Sequence, residues 1–392
     1  MFPARTVGDT RIRSFDGLRA ICISGVVLLH SSGNAYSGWL GALSKRGWFG
    51  VDVFFVLSGF LITQILLAEL DSKATINLPR FYIRRALRLQ PAYFSALLLV
   101  FADEFLRRDF ALFAWLPFYL TYSLNFAIAY FRSSAPLNAA WSLCIEEQFY
   151  FLWPWCLRNL NPRRALPMLL SAIGTIALYR TALYTWMNWG HFWDASPASY
   201  IQLYYRTDTR IDTILVGCAF ALAFRSSRLQ SLWAWLGNAK WFPSLAAFSS
   251  LGIAWYVTDD VVHGHIWRYY TYGATVAAFA AGLAITALFI HQESWPARLL
   301  SWAPLVYVGK VSYGIYLFHP FVSGAVERAL RLRGNGSAPG QLAVFFLALA
   351  GSTLVAGLHF KYVETRFLKL RDRNAKRDAE RLVLTSPPAA AL

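Results

Sequence analysis

Long apolar runs are the feature of this sequence that most constrains its fold. A helix needs about 20 mostly apolar residues to cross the ~30 Å hydrocarbon core of a bilayer. Backbone polar groups in lipid must be bonded within the segment, so such runs predict helices. Ten runs, some of them short, follow one another along the chain: 15–31, 48–68, 91–106, 110–129, 166–187, 211–225, 241–257, 269–290, 305–325 and 341–360. The sequence therefore predicts an all-α, polytopic membrane protein with about ten transmembrane helices.

The composition excludes the usual soluble classes. Hydrophobic residues make up 57% of the 392 residues and charged residues only 15%, whereas soluble domains carry about 25% charge. The 37 Lys and Arg against 21 Asp and Glu give a net charge of +16. Because the bases alternate with apolar runs, we expect membrane lipids and not nucleic acid as partners. The cysteines lie inside apolar runs without a CxxC pair, which predicts neither a disulfide framework nor a metal site: Cys22, Cys144, Cys156 and Cys218.

An eleventh apolar run, 141–155, contains Glu146 and Glu147 and is interrupted by Pro154. If this run does not cross fully, the basic loops fall on the cytoplasmic side, as the positive-inside rule requires. We therefore expect one re-entrant or half-buried helix beside ten crossings, with both termini cytoplasmic. The protein would be a multi-pass protein of the inner (plasma) membrane whose longest outside loops are about 188–209 and 326–340. Residues 1–370 form the predicted transmembrane domain, and 371–392 a disordered cytoplasmic tail.

The first span carries a polar stripe. Arg19 and His30 are eleven residues apart, about three helical turns plus roughly 20°, so they share one face at a spacing of about 16 Å. Asp16 lies within about 40° of His30 on that face. An ion pair between Asp16 and Arg19, with His30 bonded to a neighbouring helix, is one interpretation. The other is that His30 serves as a general base, since ionisable residues within a membrane are costly.

Two further segments place charge beside or inside apolar sequence. In the second span Asp52 needs a partner, which Lys45 or Arg46 could supply only near the surface, while Gly50, Ser58 and Gly59 favour close helix packing. The next loop holds Arg84 and Arg88 at i, i+4, so both can face one way, with Arg85 on a different face. This cluster is typical either of contact with anionic lipid heads or of a clamp for a phosphorylated ligand.

Three later motifs complete the polar candidates. The stretch WSLCIEEQFY buries the two acids near Trp141, Ser142 and Tyr150, so their cationic partner must come from elsewhere, from Arg19 or from the arginine cluster. Asp208, Arg210 and Asp212 crowd the outer end of a span, where they would neutralise one another. His319, before Pro320, is interpreted as a satisfied core histidine.

These motifs together resemble the membrane-bound acyltransferase 3 family of bacterial integral-membrane O-acyltransferases. The resemblance runs from about Ile12 to Phe367 and rests on the ordered set DGLRA with His30, FGVDVFFVLSGFLIT, RRALRLQPAY, WSLCIEEQFYFLWP, TRIDTILVG, GKVSYGIYLFHP and VETRF. It implies an acyl-CoA donor, with acetyl-CoA the expected one, on the cytoplasmic side and a sugar hydroxyl as acceptor, free or lipid-linked. The functional positions it implies are Arg19 with His30, and Arg85 with Arg88, with Arg84 adjacent. The chain resembles the stand-alone subgroup, without a Ser-Gly-Asn-His domain.

The resemblance and the spacing lead to one mechanistic expectation. The CoA phosphates bind Arg84, Arg85 and Arg88, the donor's arm lies along the first helix, and the thioester arrives near His30, the general base. Glu146 or Glu147 would orient His30 or the acceptor, and a covalent acyl-histidine relay stays open. No metal is expected. The product would be an acetylated cell-surface glycan such as O-antigen or exopolysaccharide. A transporter or flippase of a lipid-linked or polar substrate is the alternative, because polar stripes and a broken helix suit that class too.

Overall fold

Helices account for all the regular structure that is described. The computed structural model describes residues 12–31, 38–108, 111–190, 197–262, 265–330 and 338–370, and within these ranges no strand occurs. This confirms the all-α prediction; the tail 371–392 lies outside the described residues. The helices are α1 Arg13–His30, α2 Gly38–Lys45, α3 Phe49–Lys73, α4 Leu78–Arg107, α5 Ala111–Leu120, α6 Leu124–Phe131, α7 Ala140–Asn159, α8 Pro162–Met187, α9 Pro197–Tyr205, α10 Ile211–Arg225, α11 Gln230–Asn238, α12 Phe242–Val262, α13 Ala274–Ile290, α14 Trp295–Leu300, α15 Ala303–Lys310, α16 Ser312–Ala329 and α17 Ala338–His359. Tyr269–Gly273 and Phe360–Glu364 are π-helical turns that adjoin α13 and α17.

The chain has the helices of an integral membrane protein. Among the described residues, five helical stretches are long and apolar enough to cross a bilayer: Gly38–Lys73, Leu78–Arg107, Arg164–Met187, Tyr269–Ile290 and Gly340–Leu370. Two predicted spans are not single helices. Run 110–129 is divided between α5 and α6, and run 305–325 between α15 and α16, because the chain turns at 121–123 and at Val311. The total of ten crossings stays a prediction.

The eleventh apolar run is one unbroken helix. Helix α7 continues through Pro154 over 20 residues, about 30 Å of helix. The prediction that the chain turns back within this run is therefore wrong, and the prediction that α7 stops short of a full crossing stays a prediction. Phe151 and Trp155 are exposed on one side, while Ser142 and Tyr150 are buried on the other.

Small residues allow the central helices to approach closely. Helices α3 and α10 pack along their length, and a Cβ on Gly59 would lie 2.0 Å from the Ile214 carbonyl oxygen. A Cβ on Gly217 would likewise lie 2.0 Å from the Val56 carbonyl oxygen. The predicted packing role of Gly59 is confirmed, since in lipid such backbone contact is a main source of helix association. Gly50 meets the backbone of Cys22 in the same way, whereas Ser58 hydrogen-bonds a glutamate instead.

The polarity of the bundle is the reverse of that of a soluble protein. Large apolar side chains such as Leu106 and Trp186 point outward, 82% and 74% exposed. Ionisable side chains are buried inside, among them Asp16, Asp52, Arg180, Arg210, Asp212, His319 and Glu364. A bilayer makes the apolar exterior favourable, and the cost of interior charge makes each buried group a functional candidate.

Candidate functional site

Helix α1 presents both ends of the predicted stripe. Arg19 Nη1 lies 3.5 Å from Asp16 Oδ1, which is the expected ion pair. His30 is accessible, and its Nδ1 lies 2.8 Å from the Val26 carbonyl oxygen. A carbonyl only accepts, so Nδ1 carries the hydrogen and the neutral ring keeps its lone pair on Nε2. His30 therefore offers a basic nitrogen to an accessible space.

A second imidazole lies against His30. The ring centres of His30 and His319 are 5.0 Å apart and the rings are tilted by 55°. His319 is fully buried, with Nδ1 2.8 Å from the Tyr316 carbonyl oxygen. Its Nε2 is buried and has no hydrogen-bond partner among the described residues. His319 is therefore a core histidine as interpreted, but only its Nδ1, and not its Nε2, is hydrogen-bonded to described residues.

The two adjacent acids meet cations from other helices. Glu146 accepts hydrogen bonds from Ser58 Oγ at 3.0 Å and from Tyr150 OH at 3.2 Å. The Arg85 guanidinium lies 4.8 Å from the centre of the Tyr150 ring. Arg85 lies near enough to Glu146 and Glu147 to attract them, and it is repelled by Arg19, but it forms no ion pair within 4 Å with either acid. The structure thus brings together the polar groups of α1, α3, α4 and α7 that the sequence singled out separately.

The arginine cluster is divided between the interior and the surface. Arg85 is half-buried and faces the acids, whereas Arg84 and Arg88 are exposed on α4. This agrees with the helix-face expectation, in which Arg85 differs from its two neighbours. The three guanidinium groups therefore do not converge on one point, and a ligand that contacts all of them must reach from the surface of α4 into the bundle.

A polar path connects the acids to the imidazoles. Tyr316 OH donates to the Ala139 carbonyl oxygen at 2.8 Å, so the Ser142 hydroxyl, 2.7 Å away, donates to Tyr316. Ser142 precedes Glu146 by one turn of α7, and Tyr316 precedes His319 by about one turn of α16. The Tyr316 and His319 ring centres are 6.0 Å apart. Polar groups thus extend from Arg85 to His30 through the interior.

A separate buried network surrounds Asp52. Arg210 Nη2 donates to Asp52, and Tyr269 OH donates to the other carboxylate oxygen at 2.6 Å. Trp141 packs on Tyr204 at 4.7 Å between ring centres, and Arg210 lies 5.1 Å from the centre of the Tyr204 ring. This network therefore adjoins the site through Trp141, the neighbour of Ser142 on α7.

Two expectations about these charges are corrected. Lys45 and Arg46 do not serve Asp52, because they bind the Val262 carbonyl and Asp259 instead. Nor do Asp208, Arg210 and Asp212 neutralise one another, because each pairs with a residue outside these three: Asp208 with the neighbouring Arg206, Asp212 with Arg180, and Arg210 with Asp52.

Sequence reasoning missed Arg180 and Tyr269. Arg180 Nη1 lies 2.9 Å from both Asp212 carboxylate oxygens, and its side chain is fully buried. An arginine in the middle of the predicted span 166–187 was a signal for it, since such residues rarely face lipid. Nothing in the sequence distinguishes Tyr269 from the other tyrosines, of which the chain has 20 in all. No group of three or more His, Cys, Asp or Glu side chains in the described ranges could hold a metal ion.

Comparison with known proteins shows similarity to acyltransferases, both for a family model and for individual relatives. The family model described as "Acyltransferase domain" matches residues 12–357. The chain is 29% identical over 376 residues to the peptidoglycan O-acetyltransferase OatA of Listeria monocytogenes, covering 91% of this chain and 56% of that protein. It is 32% identical over 334 residues to the "Putative peptidoglycan O-acetyltransferase YrhL" of Bacillus subtilis, covering 79% of this chain and 48% of that protein. The chain thus spans about half the length of these curated relatives. No solved structure matches it.

Proposed function

The chain belongs to the acyltransferase 3 family, and from that premise we propose that it transfers an acetyl group from an acyl-CoA to a sugar hydroxyl of a cell-envelope glycan. The names of the relatives support the acetyl group and, as acceptor, a cell-wall glycan in place of O-antigen or exopolysaccharide. The observation that carries the chemistry is the accessible His30 with its Nδ1 tied to Val26, which leaves a basic Nε2 inside an apolar bundle.

The reaction needs a base and an anchor for the donor. His30 Nε2 takes the proton of the sugar hydroxyl as the oxygen attacks the thioester carbonyl; the C–S bond then breaks, and the proton passes to the thiolate to give free CoA. A general base positioned in this way typically increases the rate of the reaction by about 10²–10⁴-fold. The products are a sugar O-acetyl ester and CoA, which balances the reaction.

Arginines on α1 and α4 are the proposed donor site. Arg84 and Arg88 on the surface suit the phosphates of the donor, because guanidinium groups bind phosphate in bidentate fashion. We place the donor's arm beside Arg85 and Arg19, which are less exposed than Arg84 and Arg88. The ~16 Å of helix between Arg19 and His30 is comparable to the reach of a pantetheine arm. Glu146, which accepts hydrogen bonds from Ser58 and Tyr150, supplies negative charge that attracts these two arginines.

The membrane topology is part of the same proposal. We place the protein in the inner membrane with ten crossings, both termini cytoplasmic, and α7 as a half-buried helix. The turn between α3 and α4 and the first turns of α4, which carry the basic cluster, then face the cytoplasm, where acyl-CoA is made. The acceptor sugar, free or lipid-linked, reaches the imidazole end of the polar path.

The test replaces His30 with alanine. Purified full-length protein in lipid nanodiscs is given radiolabelled acetyl-CoA and chitopentaose as a soluble mimic of the cell-wall glycan, and acetylated sugar is measured by mass spectrometry. We expect His30→Ala to lower turnover by about 10²-fold or more. His291→Ala is the matched control, because that ring bonds the Leu236 carbonyl in another part of the bundle. Full turnover by His30→Ala would exclude His30 as the base. The same protein reconstituted into sealed lipid vesicles tests the alternative, because uptake of the sugar into the vesicles without acetylation would favour the transporter class.

A further inference from the structure

His319 holds an unsatisfied nitrogen next to the proposed base. Its ring is fully buried on α16, the helix that packs beside α1. Nδ1 donates to the Tyr316 carbonyl of its own helix, so Nε2, on the far side of the ring, points away from α16. A buried ring nitrogen without a partner costs free energy, and native structures keep one only for a reason.

The geometry of His30 mirrors that of His319. Its Nδ1 also donates to a carbonyl of its own helix, four residues earlier, which leaves Nε2 directed away from α1. Ring atoms lie about 1.2 Å from the centre of an imidazole, so two rings joined by an N–H···N bond of about 2.9 Å have centres at most about 5.3 Å apart, and less when the bond is bent. The observed separation is 5.0 Å. The two rings are therefore close enough for such a bond to form once one ring carries a second proton, whereas in the resting structure His319 Nε2 has no hydrogen-bond partner among the described residues.

A second buried polar group without a hydrogen-bond partner among the described residues lies one helical turn from His319. Ser323 follows His319 by one turn of α16, and its hydroxyl is buried with no partner among the described residues. Two unsatisfied polar groups on one face of α16 indicate that this face is built for a polar guest or a transient charge. A packing surface would carry apolar side chains there.

Resting on the proposed function, we propose that His319 is a positioning residue that shares the proton His30 takes from the acceptor hydroxyl. While the tetrahedral oxyanion exists, the proton on His30 Nε2 is hydrogen-bonded to the lone pair of His319 Nε2. When the C–S bond breaks, the same proton passes from the pair to the leaving sulfur. The two imidazoles thus act as one unit that takes and returns a single proton.

Two substitutions at position 319 separate this role from packing. The amide group of asparagine lies near the position of Nδ1, and that of glutamine near the position of Nε2. Asparagine therefore keeps the bond to the Tyr316 carbonyl, whereas glutamine offers an oxygen to the proton on His30. We expect His319→Asn to lower kcat at least tenfold, with the KM for acetyl-CoA changed less than twofold, and His319→Gln to retain at least fivefold more activity than His319→Asn. Equal kcat values for the two variants overturn the proposal.

A double-mutant cycle tests whether the pair acts as a unit. Groups that act together give losses that do not add, so His30→Ala combined with His319→Ala should be no slower than His30→Ala alone, within a factor of two. A further loss in the double variant, of the size His319→Ala causes alone, overturns the proposal. Melting temperatures identify variants that fail to fold, and His291→Asn is the control. If the unaltered protein does not acetylate chitopentaose, the proposed function fails. If it does, but His30→Ala keeps full turnover, the acetyltransferase function stands while His30 as the base and its pairing with His319 are both overturned.

Discussion

Asp52 and Arg210 are separated by 158 residues in the chain, yet they form one of the most buried ion pairs of the molecule. Removing one partner of such a pair leaves an uncompensated charge in an apolar interior, which costs about 3–5 kcal/mol. We therefore expect Arg210→Gln to lower the melting temperature of the purified protein sharply. Arg107→Gln is the control, because the Arg107–Asp103 pair has side chains 61% and 54% exposed, and exposed pairs contribute only about 0.3–0.5 kcal/mol. Similar melting temperatures for the two variants would contradict this account.

Some of the side-chain pairs in the site could be predicted from the sequence, and others could not. Asp16 and Arg19 were predictable as a pair because they lie one helical turn apart, and the face shared by Arg19 and His30 follows from the period of the helix. The partner of Asp52 was not predictable, because it depends on which helices pack together. The contact between His30 and His319 was hidden for the same reason.

Close packing of α3 against α10 depends on glycine at the crossing. A methyl group at position 59 would lie 2.0 Å from a backbone oxygen, so α10 must move, and such overpacking costs about 1–3 kcal/mol. We expect Gly59→Ala to lower the melting temperature in detergent. Gly174→Ala on α8 is the matched control, since a Cβ there meets nothing within 4 Å and alanine is the better helix former. A melting temperature for Gly59→Ala equal to that of Gly174→Ala would show that the crossing is loose.

Helix type was easier to predict than helix continuity. The apolar runs predicted all-helical structure, which is what the described residues form, because a lipid environment leaves the backbone few alternatives. The breaks between α5 and α6 and between α15 and α16 fall inside predicted spans, at short polar interruptions such as Lys310-Val311-Ser312. Hydrophobicity alone cannot distinguish one long helix from two short ones, since both bury the same side chains.

The orientation of the whole molecule in the membrane follows from where its positive charges lie. Lys73 and the arginines of α4 resist translocation, so the turn between α3 and α4 should stay cytoplasmic, and the turn after α8 should lie outside. Cysteine introduced at exposed positions tests this in a variant whose four native cysteines are replaced, because all four are free thiols. A membrane-impermeant maleimide added to intact cells should label Trp189→Cys and leave Lys73→Cys unlabelled until the cells are lysed. Labelling of Lys73→Cys in intact cells would reverse the orientation. It would also place the arginines away from the compartment that supplies acyl-CoA, so the donor site itself would then have to lie elsewhere.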